Sequence, residues 1–88
     1  MSGESKIEAA IIAFAELHRW WTCKFVAPGL RGVPDRIFIR DGIVIFIEVK
    51  DTDEVPTVQQ AKRHREMRAA GVKVYWFDNL EDAKKVLL

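Results

Sequence analysis

Asp35, Glu48 and Lys50 are the residues of this chain whose types and spacing can act together chemically. Asp35 closes the run Gly32-Val33-Pro34-Asp35, while Glu48 and Lys50 frame Val49. Between them lie two β-forming stretches, Ile37-Phe38-Ile39 and Ile43-Val44-Ile45-Phe46-Ile47, separated by Asp41-Gly42. Asp-Gly between such runs is a strong hairpin signal. With Asp41 and Gly42 as the loop, Arg40 pairs with Ile43, and counting outward sets Asp35 opposite Glu48. Directly opposed Cβ atoms lie roughly 4.5–5.5 Å apart, where like charges repel. Lys50, two residues after Glu48, projects from the same strand face. Two carboxylates crowded at the end of an apolar strand pair call for a cation between them. With an ammonium alongside, the chemistry they suit is metal-assisted hydrolysis, above all of phosphodiesters. The acids would hold a hard divalent ion such as Mg²⁺, with the Val49 carbonyl as a further ligand. Lys50 would orient water or offset charge growing on the phosphate. A plainer reading makes Asp35 and Glu48 strand-end charges and Lys50 an ion-pair partner of Glu48.

The elements that must position these residues follow from periodicity and punctuation. Ser5 to about Trp20 reads as an amphipathic helix, with Ile7, Ala10, Ile11, Phe14 and Leu17 at helical spacing and Ser5/Glu8 as a capping box. Thr22 to Ala27 is a short strand ended by Pro28-Gly29, and Pro28 to Pro34 a loop. The hairpin runs from about Asp35 to Lys50. Both of its faces are largely apolar, which predicts cover on both sides. After the polar stretch Asp51 to Pro56, Thr57 caps a helix to about Ala70, closed by Gly71. Val72 to Phe77 is a strand and Leu80 to Leu88 a final helix, capped by Asp78 or Asn79. The order is α-β-β-β-α-β-α. The last strand, reached through a helix, can lie parallel to Ile43–Lys50. The expected class is α/β, a mixed sheet flanked by helices.

At 88 residues there is room for one core, and a chain this short gains from a partner or a second copy. Hydrophobic residues make up 49% and charged residues 31%, which reads as globular rather than disordered. Three Trp and five Phe are a generous aromatic supply, some of it available to an interface. The single Cys23 excludes an internal disulfide and a multi-cysteine zinc site, and reads as a packed thiol. No apolar segment reaches the roughly 20 residues of a membrane span, and no signal-peptide pattern opens the chain. An intracellular protein, in a bacterial cell or a phage-infected host, is the expectation. A net charge of +1 provides no global field, so affinity for nucleic acid must come from local clusters.

An Asp, about a dozen residues, then Glu-x-Lys on a neighbouring strand resembles the PD-(D/E)xK nuclease superfamily, whose core is restriction-endonuclease-like. Gly32-Val33-Pro34-Asp35, Glu48-Val49-Lys50, Gln60 and Glu8 together resemble its VRR-NUC branch, over almost the whole chain. The resemblance implies a site of Glu8, Asp35, Glu48, Lys50 and Gln60, with Mg²⁺ or Mn²⁺ as cofactor. It implies a homodimeric DNA endonuclease of Holliday-junction-resolvase type acting on a four-way junction. A flap or nicking nuclease and a non-cleaving nucleic-acid-binding module are the alternatives. A small interaction domain is a third. Glu8 and Gln60 also have plain readings, as capping-box glutamate and as a solvated helix residue.

Basic residues gather where DNA would need them. Lys62, Arg63, Arg65 and Arg68 crowd the second helix, and Arg31 and Arg36 flank the Pro-Asp motif. Such clusters suit phosphate contacts, which give affinity and position without sequence information. His64 lies one turn beyond Gln60 and reads as packed rather than catalytic. Neither His18 nor His64 has the spacing of a zinc pair.

Overall fold

Both residues of the Asp41-Gly42 loop take positive φ, +52° and +79°. That mirror-image turn matches the twist of its flanking strands and fixes their register. In the computed structural model, which describes residues 2–88, Arg40 pairs with Ile43 and Arg36 with Ile47. The elements are α1 (Gly3–Leu17), β1 (Trp21–Lys24), β2 (Arg36–Arg40), β3 (Ile43–Val49), α2 (Val58–Ala69), β4 (Lys73–Phe77) and α3 (Leu80–Leu87). The sheet order is β1-β2-β3-β4, antiparallel except for the parallel β3–β4 pair, whose crossover is α2. This is the α/β class and element order that the sequence predicts.

Alternation along the strands sorts the side chains into two layers. Phe38, Ile45, Ile47 and Val49 face α1 and α3, and pack with Ile11, Ala15, Trp20, Ala83 and Leu87 into the main core. The other face carries Phe46 and Val74, paired across β3 and β4, with Phe25 edge-on to Phe46 at 5.0 Å. On this face α2 packs against β4. The row Trp21–Ile39–Val44 runs across three strands of the same face, and its Trp21 remains 59% exposed and Val44 37%. Cover on both faces is therefore incomplete: a twelve-residue α2 spans the β4 side and leaves the β1–β2 side open.

Helix α1 begins earlier than predicted. Ser2 is its cap, accepting from the Ser5 amide at 3.1 Å, so Ser5 and Glu8 do not form a capping box. Ser2 and Ser5 both precede the apolar stripe by workable spacing, and periodicity does not choose between them. The helix ends at Leu17 rather than Trp20, because Arg19 at φ +69° turns the chain. Trp20 then swings into the core, where its indole N–H donates to the Leu87 carbonyl at 2.9 Å. Asn79, not Asp78, caps α3. No helix among the described residues is long and apolar enough to cross a membrane.

Candidate active site

The loop before β2 brings Asp35 to the sheet end by resting on α2. At Gly32, φ is +85°, and a Cβ there would lie 2.9 Å from the Gln59 carbonyl oxygen and 3.3 Å from the Gln60 Cα. Only glycine allows that backbone-on-backbone approach in this conformation. The Arg63 Nε donates to the Arg31 carbonyl at 2.8 Å and pins the same loop from α2. Pro34 is buried, and the Asp35 carbonyl accepts from the Phe25 amide at 2.8 Å. One residue beyond the Arg36–Ile47 pair, Asp35 lies opposite Glu48 as the turn register demands. Its Oδ2 accepts from the Val49 amide at 2.8 Å, which locks the carboxylate against β3.

Glu48 is 3% exposed at the end of β3. Burial, then the adjacent charge of Asp35 and a hydrogen bond to its carboxyl, push the Glu48 pKa up to about 8, against the opposing pull of Lys50. Its Oε2 accepts from the Gln60 Nε2 at 3.3 Å, while Gln60 Oε1 accepts from Lys50 Nζ at 3.3 Å. The same Oε1 accepts from the Thr57 amide at 2.9 Å, and the Thr57 hydroxyl accepts from the Gln60 amide at 3.1 Å. Gln60 is thus both the capping-box residue of α2 and the link between Glu48 and Lys50. Thr57-x-x-Gln60 is the capping-box pattern itself, a signal open to sequence reading but assigned above to Ser5 and Glu8.

Sequence reasoning missed Glu4. It sits in the first turn of α1, half-buried, with its carboxyl pKa raised by burial and then by the charge of Asp35, and lowered by Lys50. Glu4, Glu8 and Asp35 line one open cleft with Phe25, Val26 and Val33. Glu8 lies a turn further along and is engaged elsewhere, 3.4 Å from the Arg36 guanidinium. Glu4 and Glu8 share a helix face, so spacing alone does not separate the acid coupled to the site from the one held beside it.

The basic residues divide in the same way. Arg36 also donates to Thr22 at 3.3 Å, Arg63 pairs with Glu66, and Arg68 donates twice to the Val74 carbonyl. Arg31, Lys62 and Arg65 are exposed. His64 is 1% exposed, and its Nε2 lies 3.9 Å from the Glu48 Oε1. Its pKa is lowered, by burial first and then by Arg68, so the ring is neutral at neutral pH.

Among the described residues no three His, Cys, Asp or Glu side chains form a ready-made metal cage. The donors that do meet are Asp35 and Glu48, flanking the main chain at Val49. Burial and the neighbouring Asp35 charge together hold a proton on Glu48, and two carboxyls so placed fit a hard divalent cation that keeps several waters.

The chain is 42% identical over 65 residues to p44, named as a candidate nuclease, of Acyrthosiphon pisum secondary endosymbiont phage 1; the match spans 73% of this chain and 69% of p44. Two solved structures share its fold. One, a VRR_NUC domain, superposes with a TM-score of 0.90 at 23% identity, over 98% of this chain and 95% of that one. The other, a VRR_NUC domain protein, gives a TM-score of 0.78 at 15% identity, over 97% and 84%. No family profile matches the chain.

Proposed function

The chain belongs to the VRR-NUC nuclease family, and from that premise we propose that it is a divalent-metal-dependent structure-specific DNA endonuclease. The observation that carries this reading is the buried Glu48 carboxyl, crowded by Asp35 and tied through Gln60 to Lys50. A domain that only bound nucleic acid would gain nothing from burying one acid beside a second. Asp35, Glu48 and the Val49 carbonyl would hold Mg²⁺ or Mn²⁺, which when bound supplies Lewis-acid stabilisation of phosphate charge. Lys50 orients the attacking water or offsets the charge that grows on the phosphate oxygens. Gln60 fixes the Lys50 ammonium and the Glu48 carboxylate relative to each other. Water attacks phosphorus in line: the new P–O bond forms as the bond to the 3′ oxygen breaks. The 3′ oxygen takes up a proton and the phosphate stays on the 5′ end. Arg31, Lys62 and Arg65 are exposed for contact with the DNA backbone. Glu4 adds negative charge at the mouth of the cleft, where it can hold water at the reacting centre.

The substrate we favour is a four-way junction cut by a homodimer, since two symmetric incisions need two sites related by a twofold axis. The open apolar row Trp21–Ile39–Val44 supports a second copy as the partner. The test is cleavage of a labelled four-way junction and a matched linear duplex, in Mg²⁺ or Mn²⁺ and in EDTA, with Lys50→Ala alongside. Paired, metal-dependent cuts on the junction alone, lost in the variant, support the resolvase. Cutting of both substrates keeps the nuclease and removes the junction preference. Tight binding without cutting places the chain with non-cleaving modules.

A further inference from the structure

We infer that His64 is a positioning residue for Glu48, its Nε2–H holding the Glu48 Oε1 when that carboxylate faces a divalent cation. The inference rests on the nuclease reading above. Glu48 Oε1 and His64 Nε2 are both buried, both lack any hydrogen-bond partner, and lie 3.9 Å apart. Buried polar atoms almost always find partners, and here an acceptor and a potential donor face each other alone. An adjustment of about 1 Å makes the bond.

The arrangement also explains why both donors come from α2. Gln60 and His64 are one turn apart on the same helix face. Gln60 already donates to Oε2 at 3.3 Å, which leaves Oε1 to His64. A rigid helix would then clamp the two oxygens of Glu48 from one side and leave the side toward Asp35 for the cation. Burial and Arg68 keep the imidazole neutral, so it supplies one N–H without adding a positive charge that would compete with the metal. Partners of this kind orient metal-binding carboxylates, and losing one typically costs about 10–100-fold in affinity.

A merely packed histidine predicts something different: a leucine of similar size would be neutral or stabilising and would leave metal binding alone. The experiment is calorimetric titration of Mn²⁺ into wild type, His64→Leu and His64→Gln, with metal-free melting curves for each. The expected result is that His64→Leu melts at or above wild type yet binds Mn²⁺ about 10-fold or more weakly. His64→Gln, whose amide nitrogen can occupy the Nε2 position, recovers most of that loss. Wild-type affinity in His64→Leu overturns the inference and leaves the nuclease reading standing. A wild-type protein that binds no Mn²⁺ overturns both. Nitrogen NMR of the wild-type His64 ring in Mg²⁺ provides a readout that needs no variant to fold. A proton on Nε2 supports the clamp, and a proton on Nδ1 with Nε2 bare refutes it.

Discussion

Glu48→Gln removes a buried acid whose ionisation the fold opposes, and the consequence is legible as stability against pH. Below about pH 4.5 the Glu48 carboxyl is protonated in both the folded and the unfolded chain. Between 4.5 and about 8 the unfolded chain has released that proton and the folded one keeps it. The folded state then binds more protons, so stability falls as pH rises through this window and levels off above it. At about 1.36 kcal/mol per pH unit, the full span is on the order of 5 kcal/mol, and about 3 kcal/mol of it is lost between pH 5 and pH 7. For a domain of this size that is a large share of a total near 5–15 kcal/mol, and lowers the melting temperature by roughly 10–20 °C. His64 works the other way, since its lowered pKa makes acidification below 6.5 unfavourable to the folded state. Wild type and variant share that background. Urea unfolding in EDTA at pH 5, 6, 7 and 8 measures the effect. The wild-type curve should fall relative to that of Glu48→Gln as pH rises, the gap widening by about 3 kcal/mol between pH 5 and pH 7, and saturating Mn²⁺ should restore wild type at pH 8 but not the variant. Parallel curves for the two metal-free proteins would refute the claim that Glu48 carries the strained proton.

Gly32→Ala places a Cβ 2.9 Å from the Gln59 carbonyl oxygen at φ +85°, so it should cost about 2–4 kcal/mol in urea unfolding and lower cleavage by shifting the loop that carries Asp35. Thr57→Ala removes only the cap of α2 and should cost about 1 kcal/mol with Mn²⁺ affinity nearly unchanged. Gln60→Ala should cost a similar amount of stability but also weaken Mn²⁺ binding, because the Glu48 and Lys50 contacts go with it. Trp21→Glu, on the open apolar row, should shift sedimentation toward a single copy and, at concentrations dilute enough for both proteins to be monomeric, alter metal-free stability by no more than about 0.5 kcal/mol. A monomeric wild type in the same experiment would remove that row as the dimer contact.

Much of this molecule follows from local rules that a linear reading can apply. Asp41-Gly42 selects one hairpin turn, the turn selects one register, and the two-residue period of a strand carries that register outward until Asp35 meets Glu48. Lys50 joins them by the same alternation, and Thr57 and Gly71 bound α2 by capping chemistry that depends on neighbours in sequence. The parallel placement of β4 follows from the helix between it and β3.

What the sequence left open are choices between residues that local rules treat as equivalent. Glu4 and Glu8 lie on one helix face, and only the packing of α1 against the sheet couples Glu4 to Asp35 and leaves Glu8 to Arg36. The basic cluster of α2 reads as uniform, yet its distance from the Arg31 and Val74 carbonyls ties up Arg63 and Arg68 and leaves Lys62 and Arg65 exposed. His64 sits one turn from Gln60 in any reading, but its burial against the unpartnered Glu48 Oε1 exists only once α2 packs on β4 and brings its side chains to Glu48. Hairpin register and helix caps are decided within a few residues of chain. Which acid is strained, which arginine is spent and which histidine is buried depend on distances between elements far apart in sequence, and those distances are set by how the layers pack.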